Sequence, residues 1–412
     1  MRPCGNGSQR RSRSVRRRMG GGTLSKEHLV QRDSEGAATN VGLRPVESIT
    51  PPLILEALKG GVLGQDDALR FVSVAIYKHT TGKVPGNIIL IGNSGTGKTT
   101  IMNNIQRLYD ELPEYVPFRA MALINANLLV DSDRMEFRPE RLLAAVEQRA
   151  RSVIGHPPTA AELKETMERA TICVDEIDKM SSILAGKPNA IGVALQQGIL
   201  TLMEGERIPI KTHVMVDGED RSATIEIDTK GMMFICGGAF EGLYDQVFSR
   251  VTNPGSGESL RSVAVRSADG QVTIEVRFSL ADYFKIEDLF TYGMVPQFIA
   301  RLDNTVLLAD LGVDSLKQIL LSAYDSPFVR SRRYLAVMGI DLEIEDLAAS
   351  IVAEQAEKHS RTGARALRAI FSKIINAIEF DPWSNGALEV ARNGRQRLVV
   401  TAPMVRRSLG LG

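Results

Sequence analysis

Residues 89–100 read ILIGNSGTGKTT, and no other stretch constrains the fold as tightly. An apolar run ends in Gly92, and the chain then spells G-x-x-x-x-G-K-[ST] through Gly97, Lys98 and Thr99. Glycines at these places let backbone N–H groups turn inward around phosphates. The lysine supplies a compact positive charge to the β- and γ-phosphates, and the threonine hydroxyl takes Mg²⁺. The helix that must follow aims its positive end at the same anion. The motif therefore demands strand, loop and helix in that order. It predicts an ATP site lined by Gly92, Asn93, Ser94, Gly95, Thr96, Gly97, Lys98, Thr99 and Thr100.

Four short apolar runs, NIILI (87–91), AMALI (120–124), TICVD (171–175) and MMFIC (232–236), are separated by stretches with helical spacing. Continuously apolar strands alternating with helices predict an α/β fold, a parallel sheet covered on both faces. The third run continues as DEID (175–178). An acid ending a buried strand can hold Mg²⁺ through water, the role expected of Asp175, and Glu176 beside it can orient the attacking water.

The bulk composition excludes several classes. No apolar run approaches the roughly 18 residues of a membrane span. Cys4, Cys173 and Cys236 are too widely spaced for a zinc cluster or disulfide framework, and two lie in apolar runs, which suits a reducing, cytoplasmic compartment. The five histidines (28, 79, 156, 213 and 359) show no metal-ligand spacing. Net charge is +1, yet residues 1–18 hold seven arginines and no acid, so the remainder carries −6. A mildly acidic body argues against a nucleic-acid surface, and the arginine-rich leader, without an apolar core, is no secretory signal.

Residues 1–45 are polar and aperiodic, the composition of a disordered tail. Pro51 and Pro52 open a helical pattern to about Leu58, and a second follows at Ala68, Phe71, Val72 and Ala75. Alternation around an Asp-Gly pair reads as a hairpin at 213–228 and again at 259–278, and 388–402 adds a late hairpin. After about Asp310 the chain turns mostly helical, so 46–309 is expected to be the large α/β domain and 310–412 a small helical one with a late hairpin.

Five further segments, GVLGQDDA (61–68), GVALQQGILTLMEG (192–205), FICGGAF (234–240), GMVPQFIARLD (293–303) and TGARALRAI (362–370), closely resemble ClpX, a hexameric AAA+ protein unfoldase, in the family's order; HslU is a more distant relative. The resemblance implies an AAA+ ATPase with a small C-terminal lid, assembled as a homo-hexamer and acting on a protein substrate. It matches Arg301 to the arginine finger that completes a neighbour's site, a contribution worth about 10³–10⁵ in rate. It matches Arg365 to the sensor-2 arginine reaching the nucleotide from the same chain, and Val62 and Leu63 to the segment packed on adenine. Either arginine taken alone reads as a surface ion pair.

Three departures narrow the expectation. The family's N-terminal zinc-binding domain has no counterpart here. The Ile-Gly-Phe tripeptide that docks the ClpP peptidase is absent, both around 252–272 and elsewhere in the chain. The aromatic first pore loop is matched by DRME (133–136), placing Arg134 and Met135 where the family has its gripping residue, with Phe137 as the alternative after a small shift. The second pore region, around Lys211 and His213, is only loosely similar. A remodeller of one dedicated protein target fits these features. The competing readings are an ATPase subunit of a ClpP-like protease and an ATP-dependent switch or scaffold that does not thread polypeptide. A nucleic-acid translocase is disfavoured by the acidic body.

Overall fold

All four apolar runs lie side by side in one parallel sheet, joined by a strand that the patterning did not single out. The computed structural model describes residues 45–83, 86–131, 136–137, 139–184, 186–255, 257–258, 260–266, 272–359, 362–383, 388–390 and 394–411, with the backbone alone for 130–131, 136–137, 139, 261–266 and 272–277. The arginine-rich leader and both Arg134 and Met135 lie outside these residues, as does the side chain of Phe137.

The sheet contains β1 (Ile88–Ile91), β2 (Met121–Asn125), β3 (Thr171–Asp175), β4 (Met233–Gly238) and β5 (Asn304–Leu307), in the spatial order β5-β1-β4-β3-β2. Every pairing is parallel: Ile88 lies opposite Ile235 and Asn304, and Thr171 opposite Met233 and Met121. The continuous hydrophobicity of these strands follows from burial on both faces. Ile88 and Leu90 enter the core beneath α1 (Pro51–Lys59), α2 (Asp66–Thr80) and α3 (Lys98–Glu111). Ile89 and Ile91 enter the opposite core with residues of α4 (Pro139–Ile154), α5 (Ala160–Glu168), α6 (Ala190–Met203) and α7 (Leu243–Thr252). Cys173 and Cys236 are both fully buried, but on opposite faces. The fifth strand reads NTVL, with Asn304, Thr305 and Leu307 only partly buried at the sheet edge, which is why it lacks the apolar signature.

Helix α2 corrects one detail of the pattern. Its buried stripe is Ala68, Leu69, Val72, Ala75 and Ile76, while Phe71 faces outward with half its surface exposed. The hairpin expected from 213 starts earlier, at Arg207, and runs ten residues to Val216 before returning over Glu219–Asp228. Its turn is Asp217–Gly218, both with positive φ (54° and 83°), the two-residue form that matches strand twist. Lys211 and His213, loosely matched to a second pore region, sit within this ladder opposite Thr224 and Ser222. A second ribbon pairs Arg261–Arg266 with Val272–Arg277. The segment matched to the first pore loop is bracketed by a two-residue ladder, Val130–Asp131 against Glu136–Phe137.

From Leu311 onward the buried residues form their own cluster. Helices Val313–Ser322, Pro327–Val337, Asp346–Glu357, Arg365–Phe380 and Ala402–Leu409 enclose it. The late hairpin, Leu388–Val390 against Gln396–Val400, is extended by a parallel strand, Ile340–Ile344, so this part carries a three-stranded sheet as well as helices.

Candidate nucleotide site

Strand β1 ends at Ile91, between the exits of β4 and β5. In an open parallel sheet, the crevice beyond the carboxyl ends of the strands is where ligands bind. The loop 92–97 fills this place, and helix α3 begins at Lys98. Two of its glycines are required by conformation, with φ of +79° at Gly95 and +109° at Gly97. Gly95 is required by space as well, since a Cβ there would lie 2.3 Å from the carbonyl oxygen of Thr362.

Lys98 is buried, and its ammonium donates to the carbonyl oxygens of Gly92 at 2.6 Å and Asn93 at 2.9 Å. Burial pulls its pKa below the ordinary lysine value and the Arg365 guanidinium acts in the same direction, while Asp175 and Asp178 oppose both. A desolvated cation held only by carbonyl dipoles is well suited to accept a polyanion. Thr99, in the first turn of α3, donates from Oγ1 to Asp175 Oδ2 at 2.7 Å, so the threonine and the carboxylate ending β3 converge. Among the described residues no group of three or more His, Cys, Asp or Glu could hold a metal ion. This donor set of one hydroxyl and one carboxylate suits Mg²⁺, which binds through one or two carboxylates, waters and the substrate's own phosphates.

Glu176 follows with φ +60°, a strained conformation for a non-glycine residue. Its Oε2 accepts from Asn127 Nδ2 at 3.2 Å, across from the end of β2. Asp178 is almost fully buried, and its Oδ1 accepts from the backbone N–H of Ala239, tying the turn after β3 to the exit of β4. Phe240, close by, also has a positive φ of 50°.

Arg365 opens the long helix Arg365–Phe380 and donates to Ser94 Oγ in the phosphate loop. The turn before it is pressed onto the same loop, with Ala364 N donating to Gly95 O at 3.1 Å. Val62 is buried against α1 and α2, and Leu63 is half-buried beside it. Gln65, within GVLGQDDA, has no role read from the sequence. It is buried, its Nε2 donates to the carbonyls of Thr96 (3.0 Å) and Ala309 (2.8 Å), and its Oε1 accepts from Ala309 N (3.1 Å), clamping the phosphate loop to the chain leaving β5. Asn93 Nδ2 donates to Asp310 Oδ1 at 2.9 Å in the same region. Asn127 lies in no motif, and Gln65 lies in GVLGQDDA without a role read from it; an amide side chain announces its role only through its partners.

Arg301 is the one predicted site residue far from the rest. Its carbonyl accepts from Asn87 Nδ2, which places it at the amino end of β1. The phosphate loop starts at the other end, five residues on, roughly 16 Å away at a strand's rise. Its guanidinium pairs with Glu204 at 2.7 Å, both side chains exposed. Within its own chain it is a surface ion pair and does not touch its own phosphate loop.

Residues 83–305, just over half of the chain, match the family model described as AAA domain (Cdc48 subfamily). The chain is also similar to proteins named ATP-dependent Clp protease ATP-binding subunit ClpX. That of Bacteroides thetaiotaomicron is 27% identical over 373 residues, covering 87% of this chain and 83% of the relative. One from Bacteroides fragilis is 26% identical, covering 87% and 82%. One from Porphyromonas gingivalis is 27% identical over 347 residues, covering 81% and 76%. With the phosphate loop, the Asp175–Glu176 pair and Arg365 gathered at one end of a five-stranded parallel sheet, the chain belongs to the AAA family and is a divergent ClpX-like AAA+ ATPase.

Proposed function

We propose that this protein is an ATP-driven protein remodeller that works as a homo-hexameric ring in the cytoplasm. Residues 46–309 are the ATPase body and 310–412 the lid. The reading is carried by the position of Arg301, at the opposite end of β1 and β5 from the phosphate loop of its own chain. An arginine finger so placed can serve only the site of an adjacent subunit, so the site is complete only in an assembly.

Within that site each residue has a task its environment favours. Lys98 exchanges two carbonyl partners for phosphate oxygens. Thr99 and Asp175, already joined, would hold Mg²⁺, which when bound neutralises phosphate charge. Glu176 orients the attacking water once its carboxylate leaves Asn127. Arg365 couples the lid to the phosphates through its contact at Ser94. The neighbour's Arg301 stabilises the charge of the transferring phosphoryl group.

A dedicated protein target fits the segment 130–137, where Asp131, Asp133, Arg134 and Glu136 stand in place of the aromatic grip of a general threading machine. The relatives are named as subunits of a protease, but the missing Ile-Gly-Phe tripeptide argues against docking to ClpP. No helix among the described residues is long and apolar enough to cross a membrane.

Mixing subunits tests the assembly. Arg301→Ala should keep nucleotide affinity and lose most turnover, and mixing it with Lys98→Ala should restore activity, because each variant supplies what the other lacks. An active wild-type monomer would refute the shared site.

A further inference from the structure

Helix α6 carries two polar contacts for which the nucleotide site has no direct use. Gln196, near its middle, is fully buried. Its Nε2 donates to the carbonyls of Met180 at 2.6 Å and Gly293 at 3.3 Å, and its Oε1 accepts from Val295 N at 2.7 Å. Met180 closes the short helical turn Ile177–Met180 that begins directly after Glu176. Gly293–Val295 leads into the turn Pro296–Ile299 and then Arg301. A buried amide is retained only where its hydrogen bonds are met, and all three here go to these two segments.

The junction has no slack. Ser182 N donates to Gly293 O at 2.8 Å and Ser181 Oγ to Tyr292 O at 2.8 Å. Gly293 has φ +110°, and a Cβ there would lie 2.4 Å from Ser181 Oγ. Eight residues beyond Gln196, about 12 Å along the helix axis, Glu204 closes α6 and pairs with the Arg301 guanidinium. The helix therefore touches the turn of the hydrolytic acid at one point and the distant arginine at another. That turn has further anchors, Asp178 to Ala239 N and Asn189 Nδ2 to Ser181 O, so removing Gln196 loosens the 293–295 segment first.

We propose that Gln196 is a positioning residue for Arg301. It locks the base of the arginine to the turn after Glu176, so that the state of a subunit's own site governs how its arginine is offered to the neighbour. This rests on the reading of Arg301 as acting on an adjacent subunit.

The test uses full-length Gln196→Met, which keeps the volume and removes the donors, with Gln196→Ala as the second variant. Each should bind a fluorescent ATP analogue within about twofold of wild type and lose at least about tenfold in kcat, a fraction of what an absent finger costs. Mixing then separates the roles. Gln196→Met mixed with Glu176→Gln should regain activity, because the second supplies a sound arginine to the first. Mixed with Arg301→Ala it should not, because both are defective in the same part. The reverse pattern would overturn the proposal and assign Gln196 to its own subunit's chemistry. Loss of nucleotide binding in both variants would also overturn it, by making Gln196 a residue of the fold. The control mixture of Arg301→Ala with Glu176→Gln must regain activity; if it does not, the shared-site reading itself has failed.

Discussion

The turn that carries Arg365 rests on the phosphate loop through backbone, and Gly363 lies against it. Its φ is +49°, and a Cβ built there would lie 2.8 Å from the carbonyl carbon and oxygen of Gly95 and 3.0 Å from Ser94 O. Neither loop can yield by turning a side chain, so Gly363→Ala must push the two apart. Displacement breaks the Ala364 N to Gly95 O bond of 3.1 Å and draws Arg365 from Ser94. Gly82→Ala is the matched control, since its φ is +69° and nothing lies within 4 Å of its Cβ. Both substitutions carry the left-handed backbone cost of about 1 kcal/mol, so both should lower stability to heat, Gly363→Ala by more because it also parts the two loops. They should part in nucleotide binding. A hydrogen bond to a charged group is worth about 1.5–3 kcal/mol net, and for an exposed arginine the low end applies. Gly363→Ala should therefore bind a fluorescent ATP analogue roughly tenfold more weakly, while Gly82→Ala stays at wild-type affinity. Equal affinity in the two variants would refute the reasoning, because the lid turn would then be no part of the nucleotide site.

Three other outcomes follow from the same structure. Lys98→Ala should lose ATP binding, and Glu176→Gln should bind without hydrolysing; turnover by Glu176→Gln at the wild-type rate would remove that residue from the chemistry. His79 is buried against Phe118 with Nε2 at 3.1 Å from the carbonyl of Arg169, and burial lowers its pKa to about 4. The unfolded chain then takes up this proton near pH 6.5 and the folded chain does not, so stability is full above pH 6.5 and falls as pH drops toward 4. The loss between pH 7.5 and 5.5 is about 1 kcal/mol, to be read by urea unfolding, and His79→Gln should flatten that slope. Finally, the ATPase rate should not change on adding ClpP; ATP-dependent co-purification with that peptidase would show that another segment docks it.

The sheet, the phosphate loop and the paired acids were legible in the sequence because each leaves a local signature. A strand buried on both faces must be apolar throughout, and a loop that wraps phosphate needs glycine at set intervals, so residues 87–100 and 171–176 declare themselves without knowledge of their neighbours. The fifth strand left no such mark, because at the sheet edge Asn304 and Thr305 are only partly covered. Gln65 and Gln196 fall within family-like segments and Asn127 within none, but for none of the three does the local sequence disclose the role. Each acts through hydrogen bonds to chain between 31 and 244 residues away (Gln65), 49 away (Asn127), or 16 to 99 away (Gln196), and an amide has the same appearance in a sequence whether it faces water or joins two segments. The resemblance assigns Arg301 to a neighbour's site and Arg365 to the chain's own, but the residues around them give no physical reason for the difference. Folding decides that: the parallel register sets Arg301 at the amino end of β1, while the packing of the lid turn on Gly95 brings Arg365 to Ser94.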